Sequence, residues 1–274
     1  MRALGSRVLL LLAALGLAGC VSIDQDFRVR LSALDKSADA QVDVEAEVRF
    51  GRQVAARLLG GYDGVPDQEL QRYVNQVGAY LVQFAGRDEL DFHFLVIQSA
   101  EINAYALPGG YIFVTSAAVA AMRNEAELAG VLAHEIAHVR EKHIVKALDI
   151  RGVSAGAALG QLTSGGNDAF RVALTQASQA ALAILTDDGL QQEDEFDADE
   201  LAFYILVQGG YDSQAYLNFL ARIDQNQQLS TREVSRTHPD MPTRLSRLQG
   251  LREANGLDNL QYAVVEDRFL TFKR

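Results

Sequence analysis

Apolar positions recur at helical spacing from Val42 to Leu59, and again from Asp67 to Phe84 behind Pro66. This pattern predicts two amphipathic helices. Between Phe92 and Ile97 the pattern changes to a short β-rich run, where a strand is expected. Ile102–Leu107 and Tyr111–Thr115 flank Pro108-Gly109-Gly110, which predicts two strands joined by a tight turn. A long helix is expected from about Glu125 to Leu148. Asn124 and Glu127 should form its capping box, each side chain taking up an orphan backbone N–H. Arg151–Ala181 is rich in Ala, Gly, Ser and Gln, with Ser164-Gly165-Gly166-Asn167 as a loop. That segment reads equally as a flexible lid or as close-packed helix. Further helices are expected at Leu190–Gln208, stopped by Gly209-Gly210, at Ser213–Ile223 and at Pro242–Glu253. Gln261–Phe272 reads as a final strand. The expected fold is α+β, mainly helical, with a small β-sheet beside the long helix.

The amino terminus does not share this pattern. Arg2 and Arg7 precede an apolar run from Val8 to Ala18, closing on Leu17-Ala18-Gly19-Cys20. The run falls short of the ~20 residues that span a bilayer and suits the core of a signal peptide. Cys20 is the sole cysteine of the 274 residues. The stretch therefore resembles a bacterial lipoprotein signal, with residues 1–19 removed, Cys20 carrying lipid and 20–41 serving as a polar tether. An ordinary secretory signal with an incidental cysteine is the plainer alternative. Acyl chains contribute about 0.8 kcal/mol per buried CH₂, so several together anchor stably. Val21, where Asp is absent, favours the periplasmic face of the outer membrane within this resemblance.

Composition removes several function classes. There are 25 Lys+Arg against 36 Asp+Glu, a net charge of −11. Residues 1–19 hold two Arg and no acid, so their removal takes −11 to −13. That balance argues against nucleic-acid binding and against electrostatic attraction to anionic lipid. With 49% hydrophobic and 22% charged residues, the chain is globular. A lone cysteine forms no internal disulfide and no multi-thiolate site, so any metal must be held by His and carboxylates.

His134-Glu135-Ile136-Ala137-His138 lies within the long predicted helix. Four residues advance a helix by about 400°, leaving the two imidazoles about 40° apart, one turn above the other. Both can reach one Zn²⁺ at about 2.0–2.1 Å. Glu135 is placed to take a proton from an attacking water, whose pKa zinc lowers to about 7. A polar stripe that merely holds two histidines is the bland alternative. A catalytic site also needs a third protein ligand and an open position. The pattern with a nearby third His would need Gly at position 141 and His at 144, where Glu141 and Ile144 stand. His143, five residues past His138, would be turned about 140° around a continuous helix and cannot share the metal. It reads as structural or as a hydrogen-bond donor to a ligand. The better source is Glu193-Asp194-Glu195-Phe196-Asp197-Ala198-Asp199-Glu200. Most of such an acidic run is a solvated face. Yet Glu195 and Asp199 sit one turn apart, on a helix given an apolar side by Phe196, Leu201 and Phe203. Glu195 could ligate zinc while Asp199 accepts the outer N–H of a ligand imidazole and fixes its tautomer.

His134-Glu135-Ile136-Ala137-His138, followed by Glu195-Phe196-Asp197-Ala198-Asp199, resembles peptidase family M48, the HtpX/Ste24-like zinc metallopeptidases. The resemblance covers most of Phe50–Leu251. It includes Asn103-Ala104-Tyr105-Ala106-Leu107-Pro108-Gly109-Gly110 upstream and His238-Pro239 with Arg244 downstream. It implies a zincin-like HExxH domain over 42–274 and one Zn²⁺ per chain on His134, His138 and Glu195. It also implies Glu135 as general base and Asp199 as partner of a ligand. The chain departs from the family at Gln191-Gln192, where Ser-Arg is frequent. Neither multiple membrane spans nor a helical-repeat appendix is expected, which suggests a compact, lipid-anchored periplasmic branch.

Two further elements have a role available. Asn103 and Ala104, opening the strand to Leu107, could offer backbone and the Asn103 amide to an extended peptide, or belong to a plain edge strand. His238 and Arg244 could stabilise an oxyanion. Alternatively, His238 could occupy the open metal position, or His238-Pro239 could merely start a helix. The expected activity is hydrolysis of internal peptide bonds in misfolded or unassembled envelope proteins. The competing expectation is a zinc-stabilised chaperone or assembly factor with little turnover.

Overall fold

In the computed structural model, which describes residues 41–150, 168–225, 237–238, 240–257, 260 and 262–273, two amphipathic helices come first. These are α1 (Gln41–Leu58) and α2 (Gln68–Val82). The Asp67 carboxylate caps α2 by accepting from the N–H groups of Glu69 and Leu70, at 3.0 Å each. The expected signal peptide, Cys20, the tether up to residue 40 and the loop at 164–167 lie outside the described residues.

The sheet comprises β1 (His93–Ile97), β2 (Ala104–Leu107) and β3 (Tyr111–Thr115), in the order β1-β3-β2. β1 runs parallel to β3, and β2 antiparallel to it. Pro108–Gly110 turns between β2 and β3 as a short 3₁₀ segment. Gly109 sits there at φ 75, where a Cβ would lie 2.6 Å from the Val48 Cα of α1, so glycine is required. Side-chain amides close one edge of this sheet. Gln71 Oε1 accepts from the Val96 N–H at 2.9 Å, and Gln71 Nε2 donates to the Val96 carbonyl at 2.8 Å. Asn75, one turn on, repeats the pair with Phe94, at 3.2 Å and 2.6 Å. With β1 capped in this way, β2 is left as the other edge of the sheet, packed beside the HExxH helix.

β3 leads into α3 (Ser116–Ala121), a short helix absent from the sequence expectation, and then α4 (Glu125–Arg140), every residue of which is buried. A helix buried on all sides is fixed by its ends. Asn124 Oδ1 accepts from the Glu127 N–H at 2.9 Å. Glu127 itself reaches the Arg123 N–H at 2.8 Å and pairs with Arg222, so the expected reciprocal capping box is only half made. The carbonyls of Val264 and Val265 accept from Ala126 and Glu125, taking up two more orphan donors. At the other end, Arg87 donates to the Val139 and Arg140 carbonyls at 3.3 Å each and is held by buried Glu47 at 3.0 Å. A cation here complements the negative pole of the helix.

The helix expected to continue to Leu148 breaks instead. Lys142 adopts φ 55, and α5 (His143–Ile150) starts in a new direction. Next come α6 (Asp168–Ala183), a π-helical segment Ile184–Asp188, and α7 (Gln192–Gln208), which packs along α4. The described part of the Arg151–Ala181 segment is helix. α8 (Ser213–Gln225) and α9 (Met241–Ala254) follow. The expected final strand is a helix, α10 (Glu266–Phe272), preceded by one isolated bridge between Ala263 and Tyr211. Phe269 and Phe272, three residues apart, share a face and pack on Tyr73, an arrangement helical rather than extended backbone provides. All these elements belong to one compact unit, Ala40–Arg274, and no described helix is long and apolar enough to cross a membrane.

Candidate metal centre

α4 and α7 lie side by side, and their polar residues meet at one point. On α4, His134 and His138 turn their Nε2 atoms toward each other, 2.9 Å apart. From α7, Glu195 places Oε2 3.3 Å from His134 Nε2 and Oε1 3.4 Å from His138 Nε2. His238, just before α9, brings Nδ1 to 3.0–3.1 Å from both Glu195 oxygens. Donor atoms of His134, His138, Glu195 and His238 all lie within 4.8 Å of one another. The first three residues are buried, while the His238 side chain is 13% exposed.

This donor set fits a zinc ion. Nitrogen and oxygen ligands at 2.0–2.2 Å in a tetrahedron stand about 3.4 Å apart, the spacing that Glu195 keeps from the two imidazoles. Both ligand imidazoles are also held from behind. His134 Nδ1 lies 3.0 Å from Asp199 Oδ1, a bent contact rather than a linear hydrogen bond. His138 Nδ1 lies 2.8 Å from His143 Nδ1. With protons on the outer nitrogens, the two Nε2 lone pairs point into a shared space.

Asp199 is itself gripped. Arg244 Nε and Nη2 donate to its two oxygens at 2.7 Å and 2.8 Å, and Tyr216 donates its hydroxyl proton to Oδ1 at 3.1 Å. Arg244 Nη1 also reaches Glu195 Oε2 at 2.9 Å. Arg244 thus holds both carboxylates that support the site. Gln192, at the departure from the family pattern, donates to Asp240 ahead of α9.

The charges set the titration. Burial pushes Glu195 up, but the facing His238 and Arg244 side chains overcome it and hold the carboxyl well below the usual range. Asp199 is likewise opposed by burial yet drawn down to about 2 by Arg244. Glu135 behaves differently: burial raises it above its ordinary value. Burial, with Lys146 nearby, lowers His143 to about 4.

Glu135 lines a cavity together with His134, Tyr216, His238 and Arg244, and much of its remaining wall is apolar, including Val131, Phe219, Leu220, Ile223 and Met241. Asn103 and Ala104 form its other side. Asn103 Oδ1 accepts from the Ala104 N–H at 3.0 Å, while its Nδ2 is buried with no hydrogen-bond partner among the described residues. Sequence reasoning did not single out Tyr216. A tyrosine at helical spacing gives no sign of a polar partner, and only the close approach that Gly130 allows brings it under Asp199: a Cβ on Gly130 would stand 2.6 Å from Tyr216 Cβ.

Comparison with known proteins agrees with this geometry. Residues 68–252 match peptidase family M48. The chain is 30% identical over 272 residues to the beta-barrel assembly-enhancing protease of Escherichia coli (strain K12), covering 96% of this chain and 55% of the relative. The protein of the same name from Yersinia pestis is 33% identical over 255 residues, 86% of this chain and 51% of that one. The mitochondrial metalloendopeptidase OMA1 of Schizosaccharomyces pombe is 26% identical over 184 residues, 65% and 51% of the two chains. The chain spans about half the length of these relatives.

Proposed function

Because the chain belongs to peptidase family M48, we propose that it is a zinc-dependent endopeptidase acting on misfolded or unassembled proteins of the cell envelope. The observation that carries this reading is the convergence of His134, His138 and Glu195 donor atoms, with His134 lining one cavity together with Glu135. Those three residues would hold the ion. Zinc, when bound, supplies Lewis acidity toward a scissile carbonyl and an attacking water. Glu135, raised by burial, is tuned to take the proton of that water and pass it to the leaving amine. Asp199 and Arg244 hold the ligands in place. His238, the more exposed member of the group, would donate to a developing oxyanion.

The substrate side follows from β2 and the apolar wall. An extended peptide would add to the β2 edge, with the unpartnered Asn103 amide meeting its backbone. Val131, Leu220 and Met241 would receive an apolar side chain, the kind that unfolded polypeptides expose. The name beta-barrel assembly-enhancing protease, borne by relatives, suits a quality-control role in the envelope. In this reading residues 1–19 are the signal peptide, 20–41 the tether and 42–274 the peptidase domain. Cys20 carries the lipid that holds the chain at the periplasmic face of the outer membrane.

Glu135→Gln tests this function. Zinc content should stay at one per chain while casein hydrolysis falls by about 10²–10⁴-fold. A second reading has one observation in its favour: His238 completes a four-donor group. Held there, it would close the metal and leave a zinc-stabilised chaperone or assembly factor. Cellular function that survives Glu135→Gln would select that reading.

A further inference from the structure

We infer that His143 is a positioning residue for His138, holding the outer nitrogen of that ligand imidazole behind the ion. This inference rests on the metal centre proposed above. A metal-ligating histidine is normally oriented by a carboxylate, carbonyl or water at its other ring nitrogen. For His134 that group is Asp199. For His138 it is a second histidine: Nδ1 of His143 lies 2.8 Å from Nδ1 of His138, with the rings 4.9 Å apart and inclined at 73°.

The proton positions follow from the geometry. His138 can offer its Nε2 lone pair to a metal only if its proton sits on Nδ1. That proton points at His143 Nδ1, which must then be the acceptor, so His143 carries its own proton on Nε2. That Nε2 is buried with no hydrogen-bond partner among the described residues; Asp194 Oδ1 of α7, at 3.8 Å, lies beyond hydrogen-bond reach. His143 is 1% exposed, so water does not compete for its place.

The backbone is shaped for this contact. In an unbroken helix, His143 would stand about 140° around the axis from His138. The left-handed turn at Lys142, φ 55, stops α4 and folds His143 back beneath the ligand. A left-handed non-glycine residue is costly and persists where its surroundings hold it. Here Lys142 is held by Glu47, 3.4 Å from its Nζ.

The test compares three variants of the full mature chain by chelator competition for zinc and by the visible spectrum after cobalt(II) substitution. His143→Phe fills the space but accepts no hydrogen bond, and should bind zinc about 10–100-fold more weakly with an altered cobalt spectrum. His143→Asn places an acceptor near the Nδ1 position and should restore affinity to within about threefold, with a near-native spectrum. His143→Gln places its acceptor farther out and should resemble Phe. Equal affinity in His143→Phe and wild type overturns the role, as does equal weakening in Phe and Asn at unchanged melting temperature. If the Phe variant fails to fold, Asn binding no tighter than Gln overturns it. A wild-type chain that takes up no zinc overturns the metal centre and this role together, whereas zinc held equally by wild type and His143→Phe removes this role alone.

Discussion

Arg244 grips Asp199 through two parallel hydrogen bonds, Nε to Oδ2 at 2.7 Å and Nη2 to Oδ1 at 2.8 Å. Its third nitrogen reaches Glu195 Oε2 at 2.9 Å. One fully buried cation therefore holds both the carboxylate behind His134 and the proposed ligand carboxylate. A guanidinium does this through its planar fork, which an ammonium cannot reproduce.

Removing that cation leaves two carboxylates buried without their partner. Arg244→Ala should lower the unfolding free energy by about 3–5 kcal/mol, measured by urea denaturation. Arg244→Lys keeps a charge but loses the fork, so its zinc affinity should fall although its destabilisation is smaller. Wild-type affinity in the Lys variant would show that charge alone suffices.

Glu195 is the donor that joins α7 to the imidazoles of α4. Glu195→Ala should lose metal while the fold is largely retained, because the apolar contacts between α4 and α7 persist. Metal analysis and far-ultraviolet circular dichroism of the purified variant check this. Unchanged zinc stoichiometry would place the third ligand on another carboxylate.

Gly130 lies under the Tyr216 ring, and a methyl group there would stand 2.6 Å from Tyr216 Cβ and Cδ2. Gly130→Ala should cost about 1–3 kcal/mol through overpacking, despite the better helix propensity of alanine. Tyr216 would be displaced from Asp199, so zinc affinity should fall as well. A variant as stable as wild type would show that α8 yields freely.

The residues of the metal centre were legible because their chemistry is written in helical spacing. His134 and His138, and likewise Glu195 and Asp199, stand four residues apart and fall on one face without any knowledge of the tertiary fold. The turn at Lys142 was not legible. Arg140-Glu141-Lys142-His143 contains neither Gly nor Pro, and all but His are good helix formers, so the break comes from tertiary contacts such as Glu47. Residues 261–272 misled through their Val, Phe and Leu content, whereas the three-residue spacing of Phe269 and Phe272 on Tyr73 decided for helix. The amides of Gln71 and Asn75 that close β1 were equally hidden, since on α2 they look like solvated positions.

Glu125, at the start of α4, gives the chain a pH dependence separate from the metal. Its fully buried carboxylate accepts from Tyr211 at 2.6 Å, from Arg268 at 2.7 Å and from Tyr73. Burial pushes the carboxyl up, but the hydrogen bonds from Arg268, Tyr211 and Tyr73 outweigh it and hold it below its ordinary value of 4.5. The unfolded chain therefore binds more protons than the folded one just below that pH, and stability rises with pH there. The contribution is fully present above about pH 4.5 and is lost as pH falls through the lower folded value. Glu125→Gln removes the charge, so at neutral pH the variant should be less stable by about 1.5–3 kcal/mol. That gap should narrow as the zinc-free proteins are acidified below pH 4.5 and Glu125 takes up its proton, because a protonated Glu125 resembles the amide. Urea denaturation of both chains across this range measures the gap. A difference that stays constant with pH would mean that Glu125 acts through shape alone, and that α10 is held by the packing of Phe269 and Phe272 on Tyr73 of α2 rather than by the ion pair with Arg268.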